Sequence, residues 1–254
     1  MSIGNGDASR IYKTIDGGKT WQLQFTNKDE NAFFDAIACW DRENCLAMSD
    51  PVEGTFQILR SVRLLTRQLK GVAWEPIPNI SIPAAIEGEA AFAASGTCLI
   101  ANGKNNVFLV SGGADARVFR STDRGVSWSA TDTPMPKGSP GSGIFSIAMF
   151  DSKNGVIVGG DYQKPDAADD NLAFTSDGGK TWTLGKGLSG YRSAVAYIDR
   201  TTLIAVGTNG TDISRDGGRT WQKAGNENLN AVAAQGRDAV WAVGPNGTVV
   251  RLRK

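Results

Sequence analysis

Four carboxylate residues in this sequence of 254 residues, Asp50, Glu53, Glu89 and Asp161, could supply an acid and base pair. Hydrolysis of a glycosidic bond needs two carboxyl groups flanking that bond, about 5 to 9.5 Å apart. The four residues are far apart in the sequence and lie beside short apolar runs and turns. A glycosidase is therefore possible only if the fold makes two of them converge.

Aromatic and charged residues at comparable positions enlarge this set into a possible polar binding pocket. Carboxylates, aromatic rings and cations in one place could bind a ligand. The candidate binding residues are Phe34, Asp35, Asp50, Glu53, Glu89, Arg117, Phe145, Asp161, Tyr162, Lys164, Tyr191 and Arg192. The alternative is that these side chains are polar only because the ends of loops are solvated.

Composition excludes several other kinds of chemistry. The chain has no histidine, which removes the Ser-His-Asp triad and the commonest zinc ligand. Its net charge is +1, so nothing indicates nucleic acid or an anionic membrane as a partner. No apolar stretch reaches the roughly 18 residues of a membrane span. We predict no cofactor and no metal, since the glycine-rich segment 138–143 is a proline-containing loop and the acidic run 166–171 lacks calcium-loop spacing.

Two of the three cysteines, Cys39 and Cys45, flank a short segment that resembles a hairpin loop. They would then face each other across two antiparallel strands and could form a disulfide. The alternative is a pair of small buried apolar side chains.

A repeated segment of eight residues, Ser/Thr-x-Asp-x-Gly-x-Thr/Ser-Trp, occurs at 14–21, 121–128, 175–182 and 214–221. In each copy the Asp can accept N–H groups of its own turn, a Gly supplies positive φ, and the Trp can pack between sheets. We therefore predict a structural and not a catalytic role for the repeated side chains, which are Asp16, Trp21, Asp123, Trp128, Asp177, Trp182, Asp216 and Trp221. A degenerate copy keeps Ser61 and Trp74.

The near-constant spacing of these tryptophans indicates the blades of a repeat fold. Between them, short apolar strands are joined by turn dipeptides such as Asn154-Gly155. We predict an all-β propeller of four-stranded antiparallel blades in one domain, 1–254. The units predicted are 31–80, 88–135, 143–188 and 190–226, with partial units at 1–30 and 228–254.

Six visible units fall within the usual range of about four to eight blades, but both end units are incomplete. We expect upstream residues to supply the missing strands. Without them, the end units would pair into one composite blade or the ring would stay open.

The segment 60–70 replaces a normal repeat and carries four basic residues at steps of three and four. That spacing would place them on one face of a helix. We predict an elongated connection between the third and fourth strands of its blade, with a basic rim that could contact a partner. The alternative is an exposed irregular hairpin.

The repeats are those of Asp-box proteins, a superfamily that includes sialidases and sortilin-like receptors. The segments 34–38, 49–54, 88–96 and 159–162 resemble more narrowly the photosystem II stability/assembly factor-like family. This resemblance implies a seven-bladed, non-catalytic propeller that binds a protein partner and is exported to the periplasm or thylakoid lumen. The sequence shows no signal segment of its own.

Two functional hypotheses follow. In a propeller the first strand of each blade lines the channel, and the candidate residues lie on the face opposite the Asp-box turns. The first hypothesis is an assembly scaffold that presents this face to a protein. The second is a sialidase-like, exo-acting glycosidase for a carbohydrate, which by resemblance needs three arginines and a Tyr-Glu pair. Tyr191-Arg192 and Arg117 supply only part of that set.

Overall fold

The computed structural model describes residues 4–65 and 70–252 and is built almost entirely from antiparallel strands. The first sheet has two strands and the second has four. Their bounds are β1 (Arg10–Lys13), β2 (Gln22–Thr26), β3 (Phe34–Cys39), β4 (Cys45–Val52), β5 (Thr55–Leu65) and β6 (Lys70–Pro76). Short 3-10 turns occupy Gly6–Ala8, Asn79–Ser81 and Pro245–Gly247.

The third and fourth sheets follow the same meander, with two very short strands added to the fourth. The added strands are β7 (Glu89–Ala90) and β10 (Gly112–Gly113). The third sheet contains β8 (Leu99–Asn102), β9 (Asn106–Val110), β11 (Arg117–Ser121) and β12 (Ser129–Asp132). The fourth contains β13 (Ser142–Met149), β14 (Gly155–Asp161), β15 (Leu172–Thr175) and β16 (Thr183–Leu184).

The fifth sheet has four strands and the sixth has three. They are β17 (Ala194–Tyr197), β18 (Leu203–Gly207), β19 (Gly210–Ser214), β20 (Gln222–Gly225), β21 (Ala231–Ala234), β22 (Val240–Val243) and β23 (Val249–Arg251). The first strands of sheets two to six contact one another in order, β3 to β8 to β13 to β17 to β21. This radial arrangement of sheets around their first strands is that of a β-propeller.

The two incomplete sheets do not join into a composite blade within the described residues. Strands β1 and β2 pair only with each other, and β21 to β23 form a separate sheet. The composite blade, one of the two arrangements expected from the sequence, is therefore absent from the described residues.

Apolar side chains are buried between neighbouring sheets, so the sheets with two neighbours are covered on both faces. Val156, Ile157 and Val158 of β14 are all fully buried, and they divide between two clusters. Continuous apolar runs are typical of strands covered on both sides. The core is thus a series of layers between sheets.

All four intact Asp-box turns close in the same way. In the third copy, Asp177 accepts hydrogen bonds from the hydroxyls of Thr175 and Thr181 and from the Thr181 N–H, at 2.7 to 3.0 Å. Asp16, Asp123 and Asp216 make the equivalent contacts. Each carboxylate is therefore occupied by its own turn, as the sequence predicts.

The tryptophans of these turns are not equally covered. Trp182 and Trp221 are buried between sheets and Trp128 is partly buried, but Trp21 is 59% exposed. The expectation that each one packs between sheets is wrong for Trp21, whose sheet has only two strands.

The basic segment 60–70 does not form the helical face that its spacing suggests. Strands β5 and β6 form one long antiparallel hairpin, and residues 66–69 lie outside the described residues. Arg60 and Arg63 approach the carboxylates of Glu75 and Glu43, at 4.0 and 3.6 Å. Because Arg60 and Arg63 are three residues apart on a strand, they point to opposite faces. The two strands of this connection are long, as predicted, and the described residues 60–65 and 70 are extended; Arg67 of the basic series lies outside the described residues.

Cys39 and Cys45 form a disulfide. They face each other directly in the β3–β4 ladder, so the hairpin interpretation of the sequence is confirmed. Cys98 is a buried free thiol.

Candidate functional site

The predicted site residues lie on the face of the propeller opposite the Asp-box turns. The starts of the inner strands adjoin the ends of the second strands because the two run antiparallel: Phe34 pairs with Ser49, and Ser142 pairs with Asp161. This register brings Asp35 close to Asp50 and Phe145 close to Tyr162. We call this region the channel mouth.

Asp35 and Asp50 form a carboxyl pair in the channel mouth. Asp35 is only 2% exposed, and its Oδ2 atom has no hydrogen-bond partner. Burial, and then the neighbouring charge of Asp50, raise the pKa of Asp35 to about 8. Burial also raises the pKa of Asp50. The pair therefore shares a proton at neutral pH, since two adjacent buried carboxylates do not both ionise readily.

Asp50 connects this pair to the segment that carries Phe92. The Ala91 N–H donates to Asp50 Oδ1 at 2.8 Å. Cys98 is buried nearby, and burial followed by the charge of Asp35 raises the pKa of its thiol. The carboxyl pair and the loop around Ala91 and Phe92 are thus one packed unit.

Four aromatic rings converge beside this unit. Phe92 stacks on Phe145 with centroids 3.8 Å apart, and Tyr191 meets the same ring edge-on at 4.7 Å. Tyr162 contacts Phe145 from another side, at 6.2 Å. These rings line an open pocket of about 350 Å³. Ala93, Ala94, Ser193, Thr208 and Asn230 complete its lining, so the pocket combines aromatic, small apolar and polar side chains.

The stacking depends on a close approach of backbone at Gly112. A Cβ atom at this position would lie 2.3 Å from the Phe92 ring and 2.7 Å from the Ser142 carbonyl oxygen. Gly112 also bridges β7 and β13 through β10. This glycine therefore allows the loop bearing Phe92 to lie against the fourth sheet.

Glu89 and Arg117, both predicted as site residues, form an ion pair with each other. Glu89 is buried and also accepts hydrogen bonds from the Ile86 N–H and the Ser111 hydroxyl. Arg117 donates in addition to the carbonyl oxygen of Ala84. Glu89 lies in β7 and not at the start of the inner strand of the third sheet, which is β8.

Arg192 is fully buried and forms an ion pair with Asp212. Its other nitrogens donate to Ser189 Oγ, Asn209 Oδ1 and the Tyr191 carbonyl oxygen. All three guanidinium nitrogens therefore donate to groups of the protein itself, so Arg192 has a structural role.

The remaining predicted residues surround the mouth. Asp161 accepts the Gln163 N–H and lies 3.9 Å from the exposed ammonium of Lys164. Glu53 occupies the turn after β4 with φ of 51°, and its side chain is exposed. Phe34 is buried with Ile11 in the apolar cluster between the first two sheets. These four residues do not join the carboxyl pair or the aromatic group.

Sequence reasoning missed Phe92, Cys98 and Asp212. Phe92 stands in the segment 88–96, where the sequence pattern assigns the ring no role. No local pattern identifies Asp212 of β19, since its partner, Arg192, lies 20 residues earlier, just before β17. Among the described residues, no three His, Cys, Asp or Glu side chains are grouped to hold a metal ion. No helix in that same part of the chain is long and apolar enough to cross a membrane.

Comparison with known proteins agrees with this architecture. Residues 212–223 match the BNR/Asp-box repeat family, and no curated protein matches the sequence. A structure of YCF48 bound to D1 peptide is 16% identical, with a TM-score of 0.44 over 97% of this chain and 86% of that one. YCF48 from Cyanidioschyzon merolae is 15% identical, with a TM-score of 0.50 over 98% of this chain and 93% of that one.

The Trypanosoma rangeli sialidase is 12% identical, with a TM-score of 0.51. It is matched over 94% of this chain but only 48% of its own length. At these identities the similarities show the fold alone. The chain is a β-propeller with Asp-box turns, and its fold is similar to that of YCF48 from Cyanidioschyzon merolae.

Proposed function

We propose that this protein is a non-catalytic scaffold that binds a segment of a partner protein at the channel mouth. The observation that carries the proposal is the aromatic pocket formed by Phe92, Phe145, Tyr162 and Tyr191. Rigid aromatic rings supply contact area at low entropic cost, and they are enriched at protein interfaces. Tyr162 is 49% exposed and is open to a partner, whereas Phe145 and Tyr191 are buried. By resemblance, the partner would be a protein in the course of assembly, as for a photosystem II assembly factor.

The state of the charged groups favours binding over hydrolysis. Glu89 is held by Arg117 and Ser111, and Arg192 is held by Asp212. An enzyme needs a carboxylate free to exchange protons with a substrate. Glu89, one of the four carboxylates that could serve a glycosidase, is held by Arg117 and Ser111. The glycosidase hypothesis therefore depends on Asp50 together with Asp161 or Glu53.

We also propose that the protein acts outside a reducing cytosol. The support is the Cys39–Cys45 disulfide, because structural disulfides persist mainly in oxidising compartments. Trapping of free thiols in intact cells tests this: two blocked cysteines in addition to Cys98 would contradict it.

The binding proposal is tested by selecting short peptides from a random display library against the immobilised protein. We expect enriched peptides that lose at least tenfold in affinity for Tyr162→Ala. The matched control is Trp241→Ala, because Trp241 is 47% exposed and Tyr162 is 49% exposed. Trp241 lies on β22, outside the pocket.

A library that yields no binder sensitive to Tyr162→Ala would contradict the scaffold proposal. In parallel, a panel of chromogenic glycosides tests the alternative. Turnover that is abolished by Asp50→Asn would replace binding with hydrolysis as the function.

A further inference from the structure

The Asp35–Asp50 pair has no positive counterpart in the described part of the chain. The ion pairs found there involve other carboxylates, and neither Asp35 nor Asp50 receives a hydrogen bond from a lysine or arginine. Buried charges in proteins are normally paired or bound to a cation. The two other buried carboxylates on this face, Glu89 and Asp212, both have an arginine. The pair is therefore the exception among its neighbours.

Asp35 itself has an unused hydrogen-bonding atom. Asp35 is only 2% exposed, and its buried Oδ2 atom receives no hydrogen bond. An unsatisfied buried acceptor is destabilising, and such groups often belong to functional sites. Asp50, the other member of the pair, is only partly buried.

The pair is linked to the segment that forms one wall of the aromatic pocket. Asp50 Oδ1 accepts the N–H of Ala91, and the next residue, Phe92, stacks on Phe145. A cation bound by Asp50 would therefore have the Phe92 ring as a near neighbour. Guanidinium groups favour such a combination, since they stack on aromatic rings and bind carboxylates in a bidentate way.

We propose that Asp35 and Asp50 together receive one guanidinium or ammonium side chain of the partner segment. This inference rests on the proposed function and names the anchoring residue of that segment as arginine or lysine. A metal ion is the less suitable occupant, because hard cations take six or more oxygen ligands and the described residues offer no group of three suitable side chains here.

Binding of the cation would also move a proton. The titratable groups that face one another here are Asp35, Asp50 and the thiol of Cys98. At pH 7 Asp35 holds a proton, and a bound cation favours its ionised form. Asp35 would therefore release that proton to the buffer as the cation enters.

The test uses two small probes that differ in charge but hardly in shape, N-acetylarginine amide and N-acetylcitrulline amide. Binding is followed by the NMR signal of the Ala91 amide, whose hydrogen bond to Asp50 reports directly on the pair. We expect the arginine probe to bind at least tenfold more tightly than the citrulline probe. Calorimetry in phosphate and Tris at pH 7 should show release of up to one proton per bound arginine probe.

Two variants and one control complete the experiment. Asp50→Asn and Asp35→Asn should each weaken the arginine probe about tenfold, and Asp35→Asn should abolish proton release. Asp169→Asn, an exposed carboxylate in the loop after β14, should leave both unchanged. The comparison of arginine with citrulline on the unaltered protein stands even if a variant fails to fold.

Equal binding of the two probes, unchanged binding by Asp50→Asn, or a shift of the Ala91 signal with Ca²⁺ but not with the arginine probe would each overturn the inference. The peptide selection gives a separate result. Peptides that depend on Tyr162 but contain no arginine or lysine would retain the scaffold function and refute the cation. If the arginine probe binds through Asp50 but no peptide depends on Tyr162, the cation site would be retained and the scaffold function refuted.

Discussion

The guanidinium of Arg192 and the carboxylate of Asp212 are both fully buried, with their closest nitrogen and oxygen 2.6 Å apart. Ser189 also donates to Asp212 through its N–H and its hydroxyl, at 3.1 and 2.9 Å. The arrangement satisfies both charges from within and fixes the loop before β17 against β19. Tyr191, which forms one wall of the aromatic pocket, is the preceding residue and is held in place by the same contacts.

Arg192→Met should therefore lower the free energy of unfolding by about 3–5 kcal/mol, because it leaves the buried Asp212 unpaired. Urea denaturation measures this change. The control is Arg237→Met in the exposed pair with Asp199, which should cost about 0–1 kcal/mol. Similar losses in the two variants would contradict a structural role for the buried pair.

The sequence predicts the parts of this fold whose chemistry is local. Each Asp-box turn is closed by residues two and four positions from its Asp, so its pattern is visible in one segment. The Cys39–Cys45 hairpin is similarly local. The hydrogen-bond partners of Arg192 and Asp50 instead lie far along the chain, at Asp212 and Ala91, which are 20 and 41 residues away. From the sequence alone Arg192 is therefore a candidate ligand-binding cation, whereas the fold pairs it with Asp212 of β19.

The Asp-box carboxylates should make stability depend on acid. Burial would raise the pKa of Asp177, but hydrogen bonds from Thr181, Thr175 and Lys180 outweigh it and lower that pKa to about 2. The ordinary value is 3.8, so the unfolded chain binds more protons between pH 4 and 2. The stabilisation is complete above pH 4 and is lost as the pH falls through 2.

Asp177→Asn should accordingly lower stability at pH 7 and flatten its decline between pH 4 and 2. Thermal unfolding across this range measures the effect. Asp169→Asn is the control, as its carboxylate is exposed in a loop. The same acid dependence in the unaltered protein and in Asp177→Asn would refute the explanation.

Asp35 should have the opposite effect. Its pKa is about 8 in the folded protein against an ordinary 3.8, so the folded state binds more protons between pH 4 and 8. Stability should then decrease as the pH rises through this window. Asp35→Asn removes the ionisation and should stabilise the protein by about 1–3 kcal/mol at pH 8, with little change at pH 4. Denaturation at the two pH values decides this, and a variant less stable at pH 8 would count against it.

Trp182 and Trp21 occupy the same position of two Asp-box turns, but their surroundings differ. Trp182 is buried between sheets, and Trp182→Ala should cost about 3–5 kcal/mol through the cavity that it leaves. Trp21 is 59% exposed, so Trp21→Ala should cost about 1 kcal/mol or less. Equal losses in urea denaturation would mean that the turn itself, and not packing between sheets, requires the indole.

The disulfide should contribute measurable stability because it closes a short loop. Cys39 and Cys45 are six positions apart, and the chain-entropy relation gives about 2 kcal/mol for a loop of this size. Cys39→Ala with Cys45→Ala should lower the free energy of unfolding by that amount. Reduction of the unaltered protein should reproduce the loss, while the double variant should not respond to the reductant. If reduction destabilised both proteins equally, the effect would have to arise elsewhere.

The disulfide lies across the turn of the β3–β4 hairpin, and the carboxyl pair lies at the other end of these strands. The Ala91 amide signal, which reports on that pair, should therefore stay unchanged on reduction.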